Sequence, residues 1–284
     1  MVGKKFVPGV MADANGSFIL LMLTMYGISM PFMGWLVSRI PAQKIEERKM
    51  TAGQWIIAFL MCYGLMYAGN LIGTALTFGI GMVKGTGVDN PLVSTVMQLN
   101  PWVTFVIAVL IVPTAEELLF RKLLTERIVK YGELAAVLAS GLFFGLFHGN
   151  LNQFSYAFLL GLFLGFIYVK TGKLRYTIGL HMAINFIGSS LGTWMLRVTG
   201  YMDTMETLTE FLNTKNLEVL ADLGNGIVGM FIFGSYASLI LMMAGAGLIL
   251  MWLNRKKFVC CAPEEKVASL GKKKAAVMIG NPGI

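Results

Sequence analysis

Two glutamates and two histidines stand where a chain seldom puts them: Glu116, Glu117, His148 and His181 all fall within long apolar runs. The glutamates are the only two of the 15 acidic residues so placed, and the chain has no other histidine. An ionisable side chain in a membrane is costly and faces a protein interior or a watery cavity, so such groups mark function. Carboxylate and imidazole together are the usual means of moving protons in acid–base catalysis.

Spacing divides the roles. The first pair lies in PTAEELLFRKLL, where Glu117 and Arg121 are four apart with the acid first, the favourable order for an ion pair on a helix. Glu116 is rotated by about 100° from Glu117 and stays free for proton transfer. Pro113 has no N–H, so an α-helix here loses its bond to the carbonyl of Val109 and is expected to kink just before the acids. In GLFFGLFHG the ring of Phe144 can pack beneath His148, and Gly141, Gly145 and Gly149 form a smooth stripe for another helix. In GLHMAIN, His181 and Asn185 share a helix face and can both donate hydrogen bonds to one oxygen.

The elements that carry these residues read as membrane helices. The chain has 284 residues, 13% of them charged, and a mean hydropathy of +0.70, against about 25% charged in soluble domains. Seven apolar spans are expected, within a range of six to eight, giving an all-α polytopic bundle: 17–37, 54–82, 101–120, 134–148, 154–169, 176–196 and 226–253. The fourth and fifth are short for a hydrocarbon core of about 30 Å. The domain expectation is a transmembrane unit over 1–254, with its motif core near 101–196, and a flexible basic tail over 255–284. The run 17–37 is too long for the apolar part of a cleavable signal peptide.

The net charge of +8 does not mark a nucleic-acid-binding protein, because the basic residues sit at the ends of apolar runs. Eighteen of the 23 lysines and arginines follow the first, third, fifth and seventh spans. By the positive-inside rule that side is cytoplasmic, with the N-terminus out and the C-terminus in. The acidic stretch 201–222 then lies outside, and Cys260 and Cys261 lie inside as ordinary juxtamembrane residues. One geometric tension remains in this layout. His148 stands about 21 Å up the fourth span, but His181 only about 8 Å into the sixth.

The order EELLFR, FGLFH and HMAIN resembles the CPBP family of membrane proteases, which includes the type II CAAX prenyl endopeptidases and bacteriocin-processing or immunity relatives. The resemblance runs from about Val112 to Asn185. It implies peptide-bond hydrolysis by an activated water inside the bilayer. On that scheme Glu116 and His148 polarise the water, His181 and Asn185 stabilise the oxyanion, and Glu117, Arg121 and Phe144 support them. The substrate is expected to be a peptide precursor or membrane-protein segment, and the location a bacterial plasma membrane. The family is often labelled metalloprotease, and Glu116, His148 and His181 would make a zinc set. The chain has no H-E-x-x-H pair, however, and the same residues serve a metal-free glutamate mechanism. Two rivals are a catalytically idle immunity or scaffold protein on the same fold and a proton-coupled transporter. The transporter should show repeated halves, and the sequence has none.

Overall fold

The computed structural model describes residues 13–86, 92–216, 223 and 226–262, and these are mostly helical with no strand among them. Helices α1 (Ala14–Ser38), α2 (Ala52–Lys84), α4 (Pro101–Tyr131), α6 (Leu151–Thr171) and α9 (Gly226–Lys257) are long and apolar enough to cross a membrane. Between them lie α3 (Leu92–Gln98), α5 (Glu133–Phe147), α7 (174–198) and α8 (Tyr201–Thr214). All seven expected spans are therefore helices, but only five have full crossing character. Helix α5 has 15 residues, about 22 Å. Helix α7 carries His181, Asn185, Ser189, Ser190, Thr193 and Arg197, which lower its hydropathy.

Small residues bring the helices together. A Cβ at Gly69 or Gly73 of α2 would lie 2.3 Å from Tyr156 Cα or 2.5 Å from Asn152 O of α6. Gly64 of α2 also meets α9, where a Cβ would lie 2.7 Å from Leu248 N and 2.9 Å from Gly247 C. Helices α5 and α6 form a tight hairpin in which Gly161 rests on Phe144 and Gly141. Gly149 does not extend the small-residue stripe of α5. It takes φ +65° after His148 closes α5, and Asn150 then caps α6 by accepting from Gln153 N at 2.8 Å. Only glycine adopts that φ at little cost, which is why the helix stops at the histidine.

The four basic segments meet at one end of the bundle. Gln43 N donates to Glu126 O at 2.7 Å, and Arg48 N to Thr171 O at 2.8 Å. Glu133 pairs with Lys170, and its carboxylate accepts from Cys261 N at 2.7 Å. Burial raises the Glu133 carboxyl, but the hydrogen bond from Lys170, the Cys261 N–H and the Lys170 charge outweigh it. The group is held below its usual range. Phe258 packs against Phe163 and Phe166. The expected boundary at residue 255 thus falls inside a packed segment, and the rest of the tail, 263–284, lies outside the described residues. At the opposite end Asn100 N donates to Asn15 Oδ1, and Arg197 donates to the carbonyls of Met97 and Leu99. Of the acidic stretch, 201–214 is helix α8, and 217–222 lie outside the described residues.

Candidate active site

Helix α4 supplies the acids from an unusual backbone. Residues 105–111 and 118–125 are wound as π-helix, with Val112–Glu117 as a short α-helical piece between them. Val112 N–H bonds to Ile107 O, five residues back. In that register Pro113 fails to reach Ala108, not Val109, so the orphaned carbonyl differs from the one an α-helix predicts. Asn185 Nδ2 of α7 donates to Ala108 O at 2.9 Å, satisfying a group that is expensive to leave bare. Helices α1 and α7 also carry π turns next to their site residues, at 23–29 and 186–191. Such turns recur at functional sites because they widen the helix and re-aim side chains.

Glu117 and Arg121 form the expected pair and are wholly buried. Oε1 of Glu117 accepts from Arg121 Nη2 at 3.0 Å, and Oε2 lies 2.9 Å from Nε. Arg121 Nη1 donates to Ser140 Oγ of α5 at 2.8 Å, and its guanidinium lies 4.9 Å from the centre of the Phe144 ring. Arg121 is therefore an interior residue, not a member of the basic loop with which the sequence groups it. Glu117 Oε1 also takes His181 Nδ1 at 3.1 Å. A carboxylate only accepts, so the Nδ1 proton is fixed and Nε2 is turned to Glu116 Oε2, 3.8 Å away.

Glu116 is buried and makes a second contact that the motifs do not announce. Tyr26 of α1 donates its hydroxyl to Oε1 at 2.5 Å. The result is a chain Arg121–Glu117–His181–Glu116–Tyr26. Two carboxylates against one guanidinium leave one negative charge, and a single proton between His181 and Glu116 brings the cluster to neutrality. Buried charge is tolerated when balanced in this way.

His148 stands apart from that chain. Its Nδ1 lies 2.8 Å from the carbonyl of Phe144. Because a carbonyl only accepts, Nδ1 carries the proton and the neutral ring offers a bare Nε2. Phe144 lies edge-on to both imidazoles, with centroids 5.1 Å from His148 and 5.6 Å from His181. Phe144 thus contacts both histidines, which the sequence places at different heights on their helices. Tyr156 closes the other flank of His148, with centroids 6.2 Å apart.

The structure thus brings Glu116, Glu117, Arg121 and His181 into direct contact and places His148 across Phe144. Asn185 is tied to Ala108 through one of its two amide hydrogens. His181 faces the glutamates, so the amide and imidazole do not converge on one oxygen as their spacing suggests. Sequence reasoning missed Tyr26, Ser140 and Tyr156. Their one signal is a polar atom within an otherwise apolar run, which many structural residues share. Among the described residues no three His, Cys, Asp or Glu side chains are grouped to hold a metal ion. Of the trio Glu116, His148 and His181, the structure sets His181 Nε2 3.8 Å from Glu116 Oε2, with the Phe144 ring edge-on to both imidazoles.

A helical bundle with full-length apolar helices, here holding a buried cluster of carboxylate and imidazole groups, is that of an integral membrane protein. A family model described as type II CAAX prenyl endopeptidase Rce1-like matches residues 98–187. That stretch contains Glu116, Glu117, Arg121, His148, His181 and Asn185, and excludes Tyr26. Over that stretch, about a third of the chain, the protein is similar to this CAAX protease family. No curated protein and no solved structure matches it.

Proposed function

We propose that the protein is an intramembrane endopeptidase that hydrolyses a peptide bond with a water activated by Glu116 and His148. The observation that carries the reading is Glu116 itself, a buried carboxylate held by the Tyr26 hydroxyl and facing His181 Nε2 at 3.8 Å. Water donates one hydrogen bond to Glu116 and the other to the bare Nε2 of His148. As its oxygen adds to the scissile carbonyl carbon, Glu116 takes the proton. The carbonyl oxygen becomes an oxyanion, which the second amide hydrogen of Asn185 and the Nε2 proton of His181, turned from Glu116 as substrate binds, converge to stabilise. Glu116 then passes its proton to the amide nitrogen, the C–N bond breaks, and a carboxylic acid and an amine leave.

The substrate is a peptide or membrane-protein segment reaching the site from the bilayer, and the protein sits with its basic end in the cytoplasm. Incubating the purified protein with candidate peptides, wild type against Glu116→Ala, tests the reading. Cleavage by the wild type alone supports it, and equal inactivity of both on a broad panel favours the idle immunity or scaffold alternative.

A further inference from the structure

We infer that Tyr26 is a positioning residue of the catalytic centre, holding Glu116 so that one carboxylate edge is left for water. The inference rests on the protease reading above. Helix α1 is otherwise poorly packed. Met30 is its one buried residue among those described, while Leu21, Leu23, Ile28 and Phe32 are each more than half exposed. Yet this helix delivers a single hydroxyl to 2.5 Å from Glu116 Oε1, across 90 residues of chain.

The aim of that hydroxyl is built in. Tyr26 lies in the π turn 23–29, whose Ser29 Oγ bonds back five residues to Thr24 O. Its ring stands edge-on to Phe147, with centroids 6.3 Å apart, and Phe147 in turn stands edge-on to Phe120 at 5.3 Å. Apolar contact therefore fixes the ring, and a phenyl group would meet that need. Among the described residues only Glu116 uses the oxygen. A tyrosine hydroxyl donates one proton, so the bond to Oε1 fixes the carboxylate plane and leaves Oε2 turned to His181. A carboxylate free to rotate would spend much of its time misaligned with water, and such misplacement is costly in rate.

A plain structural role would have Tyr26 only satisfy a buried acid. Tyr26→Phe separates the two, since it keeps the ring and its contact with Phe147. Positioning predicts that kcat falls about tenfold or more with KM within about twofold, the signature of an interaction with a charged group used in the transition state. An unchanged kcat, with only a lower melting temperature, overturns the inference. Ile28→Ala, on the exposed face of the same helix, should change neither. Should the Phe variant not fold, Tyr26→Gln, which keeps a donor, is compared with Tyr26→Met, which does not. The Gln variant should turn over several-fold faster, and equal rates overturn the inference. A wild type no faster than Glu116→Gln removes the protease reading, and the positioning role with it. An active wild type matched by Tyr26→Phe removes only the role of Tyr26.

Discussion

The side-chain amide of Asn185 donates to the carbonyl of Ala108 over 2.9 Å, five residues before Pro113. In the π register of α4 that carbonyl is the one Pro113 cannot serve, so proline and asparagine form one device. Asn185→Leu should leave Ala108 O bare and cost about 1–3 kcal/mol, read as a lower melting temperature in detergent. Adding Pro113→Ala restores a backbone N–H and should recover part of that loss. Activity should stay low in the double variant, since the second amide hydrogen is also gone. A double variant no more stable than Asn185→Leu alone would refute the coupling.

Gly161 tests how the α5–α6 hairpin sets the imidazoles. A Cβ there would meet Phe144 Cβ at 2.9 Å and Gly141 Cα at 3.0 Å, so α5 must shift off α6. Phe144 touches both histidine rings, and any shift reaches them at once. Gly161→Ala should cost about 1–3 kcal/mol through overpacking and remove most of the activity. Gly79→Ala, where a Cβ meets nothing within 4 Å, should be neutral or gain up to about 1 kcal/mol in helix propensity. Melting and cleavage assays on the two variants decide it.

The motifs were legible because helical spacing alone puts Glu117 beside Arg121 and Phe144 beside His148. The shortness of the fourth span was legible for the same reason: fifteen residues rise only so far. Tyr26 was not, since a tyrosine in a run that reads as an ordinary span carries no mark of its partner 90 residues away. The acceptor for Asn185 was hidden too. Helix periodicity assumes bonds to the fourth residue back, and the π register moves the orphaned carbonyl from Val109 to Ala108. His181 shows the same limit, because sharing a face with Asn185 does not settle which of two neighbouring acids it meets.

Glu133 makes the docked segment at the basic end sensitive to acid. Its carboxyl is raised by burial but lowered further by Lys170 and the Cys261 N–H, giving a net depression. A depressed carboxyl stabilises the folded state at pH above its unfolded value, and that contribution is lost as pH falls through the folded one. The segment 258–261 should therefore stay docked at neutral pH and loosen below the ordinary carboxylate range. Amide exchange at Cys261, normalised to its intrinsic rate, should accelerate there. Glu133→Gln should show the accelerated rate already at neutral pH, and protection that is flat across both would contradict the assignment.

The contacts Gln43–Glu126, Arg48–Thr171 and Glu133–Cys261 gather the basic segments at one end. Charge at that end predicts a cytoplasmic orientation. A reporter fused after Ile284 should be active only in its cytoplasmic form, and one inserted after Thr214 only in its external form. The reverse pattern would invert the protein and place its basic end outside.

Glu116 and Glu117 are neighbours in sequence but should fail differently. Glu117 holds Arg121 at two points and His181 at a third, all without solvent. Glu117→Gln strands the guanidinium, which costs about 3–5 kcal/mol for a fully buried pair, and releases His181. Both melting temperature and activity should fall. Replacing Arg121 with Gln as well removes the second charge and should recover part of the stability, but not activity, because His181 still lacks its anchor. Glu116 has one hydroxyl and one long contact to His181, so Glu116→Gln keeps the fold while removing the base. Turnover should drop by about 10²–10⁴-fold with melting little changed. The comparison needs detergent-purified variants, a melting assay and one cleavable peptide. A stable, inert Glu117→Gln beside an unstable Glu116→Gln would exchange the two roles.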